Sequence, residues 1–488
     1  MRRTPDLRLG LVGDGPVRRD GAFVLYWMTS ARRTHYNFAL DRSVAWARDL
    51  GRPLLILEDL RSGRRWDSDR LHRFVLDGMA EAARRLAGKP LLYYPYVEPA
   101  RGDADGLVPA LAERACVVVT DACPCSYWPE VVARAAGAVD VRMEQVDSCG
   151  LLPMLAAGKT FKTAASFRRF LQAALPEHLS AFPAKDPLAG LDLPRLDALP
   201  KAVAHRWPAV SEAVLADEAA ALADLAVDHT VEPAPATGGE TAGTQTLRTF
   251  LRHRLARYAD AARHPDDEVT SALSPYLAAG HVGVHRVFAE LAEAQGWSPD
   301  RLGPEPTGRR DGWWGMDASA EAFLDELVTW RELGYNFCHR RDDYARYASL
   351  PEWARRTLAD HARDARPETY SLDALTAAAT ADPLWNAAQT QLVRTGRLHN
   401  YMRMLWGKKI LAWSSSPEEA AERMVELNNR YALDGRTPNS YTGIFWCLGR
   451  YDRPWGPERP VFGTVRYMTS DSTRRKLRLA QYLETYGA

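Results

Sequence analysis

Between residues 22 and 150 the chain keeps switching its hydrophobic period, and beyond residue 247 the switching stops. Short β-branched or aromatic runs (Phe23–Trp27, Leu54–Leu57, Leu91–Tyr96, Cys116–Thr120 and Val139–Met143) alternate with amphipathic stretches. In one of these, Ser68–Leu86, the apolar residues Leu71, Phe74, Val75, Met79 and Ala82 recur at helical spacing. Strand-like runs separated by helices, at intervals of roughly 30 residues, specify a parallel sheet with helices on both faces. From Leu247 onward apolar residues recur with helical period, as in Ala320–Leu333 and Gln389–Trp413, and strand signals are scarce. The pattern predicts a Rossmann-like α/β domain over residues 1–180, a linker over 181–245 and an all-α domain over 246–488.

The linker expectation rests on composition. Residues 182–208 are rich in Pro, Asp and Leu, and residues 231–246 (VEPAPATGGETAGTQT) in Pro, Gly, Ala and Thr, with a short helix over Val210–Leu225 between them. The Gly10–Gly15 run (GLVGDG) precedes the first strand instead of following one. It lacks the setting of a dinucleotide loop and reads as a flexible lead-in.

Several classes are excluded. With 33 Gly and 31 Pro among 488 residues, the chain is neither collagen-like nor largely disordered. No run reaches the roughly 18 apolar residues of a membrane span. The basic start MRRTPDLRLGLVGDGP has no apolar core of a secretory signal, so a cytoplasmic protein is expected. A net charge of +1 excludes a chain basic throughout, but a local patch suffices for phosphate contacts. Of the 63 basic residues 55 are Arg, whose planar fork suits phosphates and flat rings. The six cysteines (Cys116, Cys123, Cys125, Cys149, Cys338 and Cys447) include no CxxC pair, and only two lie beyond residue 150. A zinc or four-cysteine iron–sulfur site in the C-terminal half is excluded, and thiols in a reducing compartment are expected.

The residues able to carry chemistry cluster in the C-terminal half. Trp330, Trp385, Trp406, Trp413, Trp446 and Trp455 serve as core packing, or as an electron relay or stacking surfaces. In Phe323–Glu332 (FLDELVTWRE), α-helical spacing puts Glu326 and Trp330 on one face with Phe323 and Leu327. That surrounding would raise the carboxyl pKa, the alternative being a pairing with Arg331 or another arginine. Thr270–Gly280 (TSALSPYLAAG) places hydroxyls and amides at a turn entering a helix, as an ordinary cap or a phosphate cradle. His281 and His285 are four apart but lack a third ligand in sequence and read as surface or capping histidines. Leu427–Tyr441 is dense in hydrogen-bonding side chains, with Asp434-Gly435 and Pro438-Asn439 as turn signals. Trp446, Asp452, Arg453, Trp455 and Arg466 interleave rings and cations, as stacking plus phosphate contact requires. Arg474, Arg475, Lys476 and Arg478 read as a solvated helix face.

At these residues the chain resembles the class II cyclobutane pyrimidine dimer photolyases of the photolyase/cryptochrome family over nearly its whole length. The resemblance is carried by YWMTSARRTHYNFAL (Tyr26–Leu40), GGETAG (Gly238–Gly243), TSALSPYLAAGHV, FLDELVTWRELGYNFC, DPLWNAAQTQLVRTGRLHNYMRMLWGKKILAW, ELNNRYALDGRTPN and RPVFGTVRYM. It implies an α/β domain, a linker and a helical domain holding FAD, active as FADH⁻. Tyr258, Thr270, Ser271, Leu273 and Ser274 are then FAD contacts, Arg403 and Asp434 an ion pair beside the isoalloxazine, and Asn428 the residue facing flavin N5. Glu326, Trp330, Met404 and Trp446 correspond to the lesion pocket, and Asp452, Arg453, Trp455 and Arg466 to the segment filling the gap left by a flipped dimer. Trp406, Trp385 and Trp413, in that order outward, correspond to a photoreduction relay. The implied activity is light-driven electron transfer to a flipped dimer in UV-damaged DNA by a monomer, with a sensory cryptochrome as the alternative. An antenna chromophore of the deazaflavin type is left open.

Three places depart from the family's pattern. Thr437 stands where aspartate is expected, Ser440 where glycine is expected, and VDSCGLLP (Val146–Pro153) where a VDAHN-like stretch is expected.

Overall fold

The computed structural model describes residues 4–487. Met1–Arg3 and Ala488, at the outer ends of the expected domains and of the N-terminal basic start, lie outside the described residues. The chain forms an α/β unit (residues 4–158, 174–247 and 273–294) and a helical unit (residues 159–173, 248–272 and 295–487).

The α/β unit is built on strands β1 (Leu9–Asp14), β2 (Phe23–Met28), β3 (Leu54–Leu60), β4 (Leu92–Val97), β5 (Ala115–Asp121) and β6 (Arg142–Val146), in the order β1-β6-β5-β2-β3-β4. Strands β2 to β6 pair in parallel. Every residue of β2, β3 and β5 is buried, because both faces of a parallel sheet are covered. Phe23, Leu25, Trp27, Leu55 and Leu57 face one core with Trp128 and Met143. The intervening Val24, Tyr26, Leu54 and Ile56 face the other with Phe38, Leu40 and Val44.

The GLVGDG run is not a lead-in. Leu9–Asp14 is the antiparallel edge strand, running from Leu9↔Val146 to Asp14↔Arg142 with a bulge between Leu11 and Gly13. Its signal is masked because an edge strand with an exposed face needs little apolar content. The carboxyl end of β5 carries Asp121, which accepts hydrogen bonds from the backbone amides of Thr29, Ser30 and Ala31 at 2.8–2.9 Å and from the Tyr26 hydroxyl at 2.8 Å. The YWMTSARR segment is shaped by that one carboxylate.

Part of the expected linker is ordered structure. Glu240 opens a helix running to His253. A Cβ on Gly238 would meet the Phe74 carbonyl oxygen at 1.8 Å, so the two glycines serve close packing. Glu240 is buried and paired with His35, Arg85 and Arg286, which together with backbone N–H donation hold its carboxyl down to about 2. His281 and His285, expected at the surface, are both fully buried. Gly239 N–H donates to His281 Nδ1 at 2.9 Å, and burial lowers that imidazole to about 3, so it is neutral. Among the described residues no group of three His, Cys, Asp or Glu side chains forms a metal site, and none of the six cysteines is joined in a disulfide.

In the helical unit the expected Gln389–Trp413 stretch is two helices, Pro383–Thr395 and Asn400–Trp413. Gly396 separates them with φ of 67°, its N–H closing on Leu392. Pro417–Tyr431 and Pro438–Trp446 follow. Three helices start the same way: Asp382, Ser416 and Thr437 cap the N-terminus with their side chains, and proline occupies the first helical position. Pro438-Asn439 is therefore a helix start and not a turn.

Candidate active site

Three helices of the helical unit bring four polar side chains together. Arg403, on the Asn400–Trp413 helix, donates to Asn428 Oδ1 at 2.8 Å and to the two Asp434 oxygens at 3.2 and 3.3 Å. An arginine only donates, so the amide atom that it meets is the oxygen. The Asn428 nitrogen then donates to Ser440 Oγ at 2.6 Å. Asn428 and Ser440 are buried, whereas Arg403 and Asp434 are half-buried, so the cluster keeps an open side.

The loop supporting it is assembled by its own side chains. Arg436 takes a φ of 61°, and its N–H donates to Asn429 Oδ1 at 3.0 Å. Thr437, one of the departures, donates to the Asp434 carbonyl at 2.9 Å and accepts from the Ser440 amide at 3.3 Å. Threonine performs the capping that an aspartate would.

The second constellation departs from its α-helical expectation. Ala318–Leu324 and Arg331–Arg340 are α-helical, but Asp325–Trp330 between them is a π-helical turn. A π-turn closes i→i+5 bonds and carries more residues per turn, so positions four apart no longer align. Glu326 is accordingly exposed, while Phe323 and Leu327 are buried and Trp330 is half-buried. The four do not share one face.

The Glu326 carboxyl has no hydrogen-bond or ion-pair partner among the described residues, and Arg331 donates to the Tyr335 hydroxyl at 3.0 Å. Protein packed densely around the carboxyl, together with adjacent Asp325, raises it to about 7. Asp325 is buried and held by Arg168 at 2.7 and 3.1 Å, with Arg310 at 3.4 Å. Tyr258 packs its ring against Phe250 and Phe323, at 5.8 and 5.7 Å between centroids, and burial and these two carboxylates push its hydroxyl far up.

The tryptophans form a connected set. The Trp385 indole donates to the Trp406 carbonyl at 3.0 Å, and the Trp385 and Trp413 rings lie 5.4 Å apart at 76°. Trp406 donates to Gln389 Oε1 at 2.8 Å. Trp385 and Trp406 are 0% and 1% exposed. Trp385 thus touches both of the others.

Nearer the C-terminus, Arg466 lies 5.6 Å from the Trp446 ring and 4.7 Å from the Trp455 ring, and Arg453 lies 4.2 Å from Trp455. Asp452 accepts from the Trp455 indole at 3.0 Å. Met404 is half-buried on the helix that carries Arg403 and Trp406. Thr270 and Ser271 belong to the helical unit, and Leu273 and Ser274 to the α/β unit. Between them Ala272 has a φ of 58°, and Ser274 opens the Ser274–Ala278 helix. Arg474, Arg475 and Lys476 are exposed on the Ser470–Lys476 helix, while Arg478 pairs with Asp267.

Sequence reasoning missed Arg168, Gln389 and Lys408, and registered Ser440 only as a departure. Lys408 carried a signal, being one of two adjacent lysines, Lys408 and Lys409, set between Leu405-Trp406 and Ile410-Leu411. Arg168, on a helix 157 residues from Asp325, carried none.

No protein-family model matches the chain. A deoxyribodipyrimidine photo-lyase of Methanothermobacter thermautotrophicus is 33% identical over 475 residues, covering 97% of this chain and 96% of that protein. One of Arabidopsis thaliana is 31% identical over 480 residues, covering 94% and 88%. Among solved structures, a class III photolyase from Agrobacterium tumefaciens matches with a TM-score of 0.67 at 18% identity, covering 96% of this chain and 86% of that one. A Synechocystis cryptochrome matches with a TM-score of 0.63 at 13% identity, covering 100% and 89%. At these identities the likeness of the structures is one of fold. The chain belongs to the photolyase/cryptochrome family.

Proposed function

We propose that the protein is a class II photolyase that splits cyclobutane pyrimidine dimers in UV-damaged DNA with light, using reduced FAD. The observation that carries this reading is Glu326: an accessible carboxyl, unpartnered among the described residues and raised to about 7, on the π-turn that ends at Trp330. A neutral acid there can donate to a pyrimidine carbonyl and stabilise negative charge as it develops on the base. Trp330 and Trp446 supply stacking surfaces, worth about 1–3 kcal/mol per base.

The residues fit a flavin. Arg403 and Asp434 offer a cation and an acceptor on the open side of one cluster, backed by the buried Asn428 amide, a set suited to the polar edge of an isoalloxazine. Tyr258, Thr270, Ser271, Leu273 and Ser274 would hold the rest of FAD. When bound in its reduced form, FAD supplies the light-excited electron. The chain's own residues orient the base pair, exclude water and present the Glu326 proton. Trp406, Trp385 and Trp413 would return the flavin to its reduced state. Asp452, Arg453, Trp455 and Arg466 would occupy the space vacated by the flipped bases. A deazaflavin-type antenna would belong to the α/β unit, and the repair reading stands without it. The protein would act as a monomer in the cytoplasm.

The test is blue-light-dependent loss of dimers from irradiated oligonucleotides with the reduced protein. Dimer loss only in the light supports the reading. Flavin photochemistry without dimer loss would place the chain in the sensory branch of the family.

A further inference from the structure

Lys408 is one of the largest fully buried side chains in the protein, at 0% exposure. Among the described residues its ammonium makes one hydrogen bond, donated to the Cys447 carbonyl at 2.6 Å. Cys447 follows the last residue of the Pro438–Trp446 helix, so the ammonium sits at the negative end of that helix. Gly407 makes the approach feasible, since a Cβ there would meet Cys447 Sγ at 2.6 Å. The same ammonium lies 5.4 Å from the centre of the Trp446 ring. Trp446 lies 5.6 Å from Arg466, which is 4.7 Å from Trp455, which is 4.2 Å from Arg453. Cations and rings therefore alternate from a buried lysine to an exposed arginine. Burying an ammonium with one acceptor is costly, and an apolar side chain of the same length would pack more cheaply.

We propose that Lys408 is a positioning residue for the lesion, its ammonium fixing the Trp446 ring at the buried end of a Lys408–Trp446–Arg466–Trp455–Arg453 series so that the ring is preorganised to receive a flipped base. The proposal rests on the repair reading. Desolvated cation–ring contacts are the stronger kind, and a stacking surface held before binding saves the ordering cost on binding.

The charge can be removed without mutation. Burial brings Lys408 down to about 8, with Asp452 opposing and Arg466 assisting the loss of the proton. Cys447, the other titratable group facing it, is pushed up to about 11 and stays neutral through that range. Between pH 7 and 9 Lys408 is then the group that changes charge beneath Trp446.

The experiment follows the reconstituted holoprotein in the dark, with 5-fluorotryptophan incorporated and the residue-446 resonance assigned by Trp446→Phe. In the wild type that resonance should titrate with a midpoint near pH 8, and in Lys408→Met it should not. With Glu326→Gln in every arm, so that this carboxyl does not titrate, affinity for a dimer-containing oligonucleotide, relative to the undamaged strand, should fall about fivefold from pH 7 to 9. Lys408→Met should show the weak value at both pH values, and Lys408→Arg the strong one at pH 9. Lys408→Met should also melt no lower than the wild type, which a purely structural role would not allow. Wild-type lesion affinity in Lys408→Met, or a Trp446 resonance that ignores pH, overturns the proposal. A lowered quantum yield with unchanged affinity also overturns it. Lysine-dependent dimer binding without light-driven splitting would overturn the repair reading alone.

Discussion

Ser440 accepts a hydrogen bond from the Asn428 side-chain amide at 2.6 Å, across 12 residues of chain, and both side chains are buried. With Arg403 donating to the amide oxygen at 2.8 Å, the amide is held from both ends. The departure at position 440 therefore acts on the residue proposed to face flavin N5. Ser440→Ala leaves the Asn428 nitrogen with only the Asn429 oxygen at 3.4 Å, at a cost of about 1–3 kcal/mol. The melting temperature should fall, and the rate at which air oxidises the reduced flavin should change. Asn428→Ala should alter that rate more. Identical oxidation rates in all three proteins would remove this pair from control of the flavin.

Trp406→Phe should abolish light-driven reduction of oxidised flavin, because phenylalanine is much harder to oxidise than tryptophan. Chemically reduced mutant protein should still split dimers. The change also strips the Gln389 oxygen of its indole donor, so a loss of about 1–2 kcal/mol is expected and melting must be measured alongside. Normal photoreduction would show that electrons do not pass through Trp406.

Glu326, raised to about 7, is neutral below that pH and ionised above it. Repair yield per absorbed photon, at saturating dimer and with fully reduced flavin, should therefore decline as pH rises through about 7. Glu326→Gln should give a flat profile at a substantial fraction of the wild-type yield, and Glu326→Ala a low yield with only modestly weaker binding. The folded state holds this proton more tightly than the unfolded chain. Its contribution to stability consequently falls as pH rises from the ordinary glutamate range toward 7. A yield in Glu326→Ala equal to the wild type would exclude the carboxyl from the chemistry.

Arg168→Met should destabilise the helical unit by about 3 kcal/mol, since Asp325 would remain buried with only the solvent-exposed Arg310 beside it. A urea midpoint that drops with an unchanged slope is the expected signature. A midpoint equal to the wild type would mean that the pair contributes nothing net.

The sequence by itself determined the layered architecture. Short runs that are apolar throughout and rich in β-branched and aromatic residues fit strands covered on both faces, and the later 3.6-residue period fits helices packed on helices. Through the family resemblance it also pointed to Arg403, Asn428 and Asp434, which lie on consecutive helices and their connecting turn. Tertiary structure alone decided the rest. The edge strand Leu9–Asp14 exists because β6 offers it an unpaired edge, not because its own residues demand one. The Ser440 partner of Asn428 and the Lys408 ammonium under Trp446 each depend on which side chain arrives from another helix. Burial and hydrogen bonding across long separations set their charge and orientation, and periodicity along one segment carries no information about what the facing segment presents.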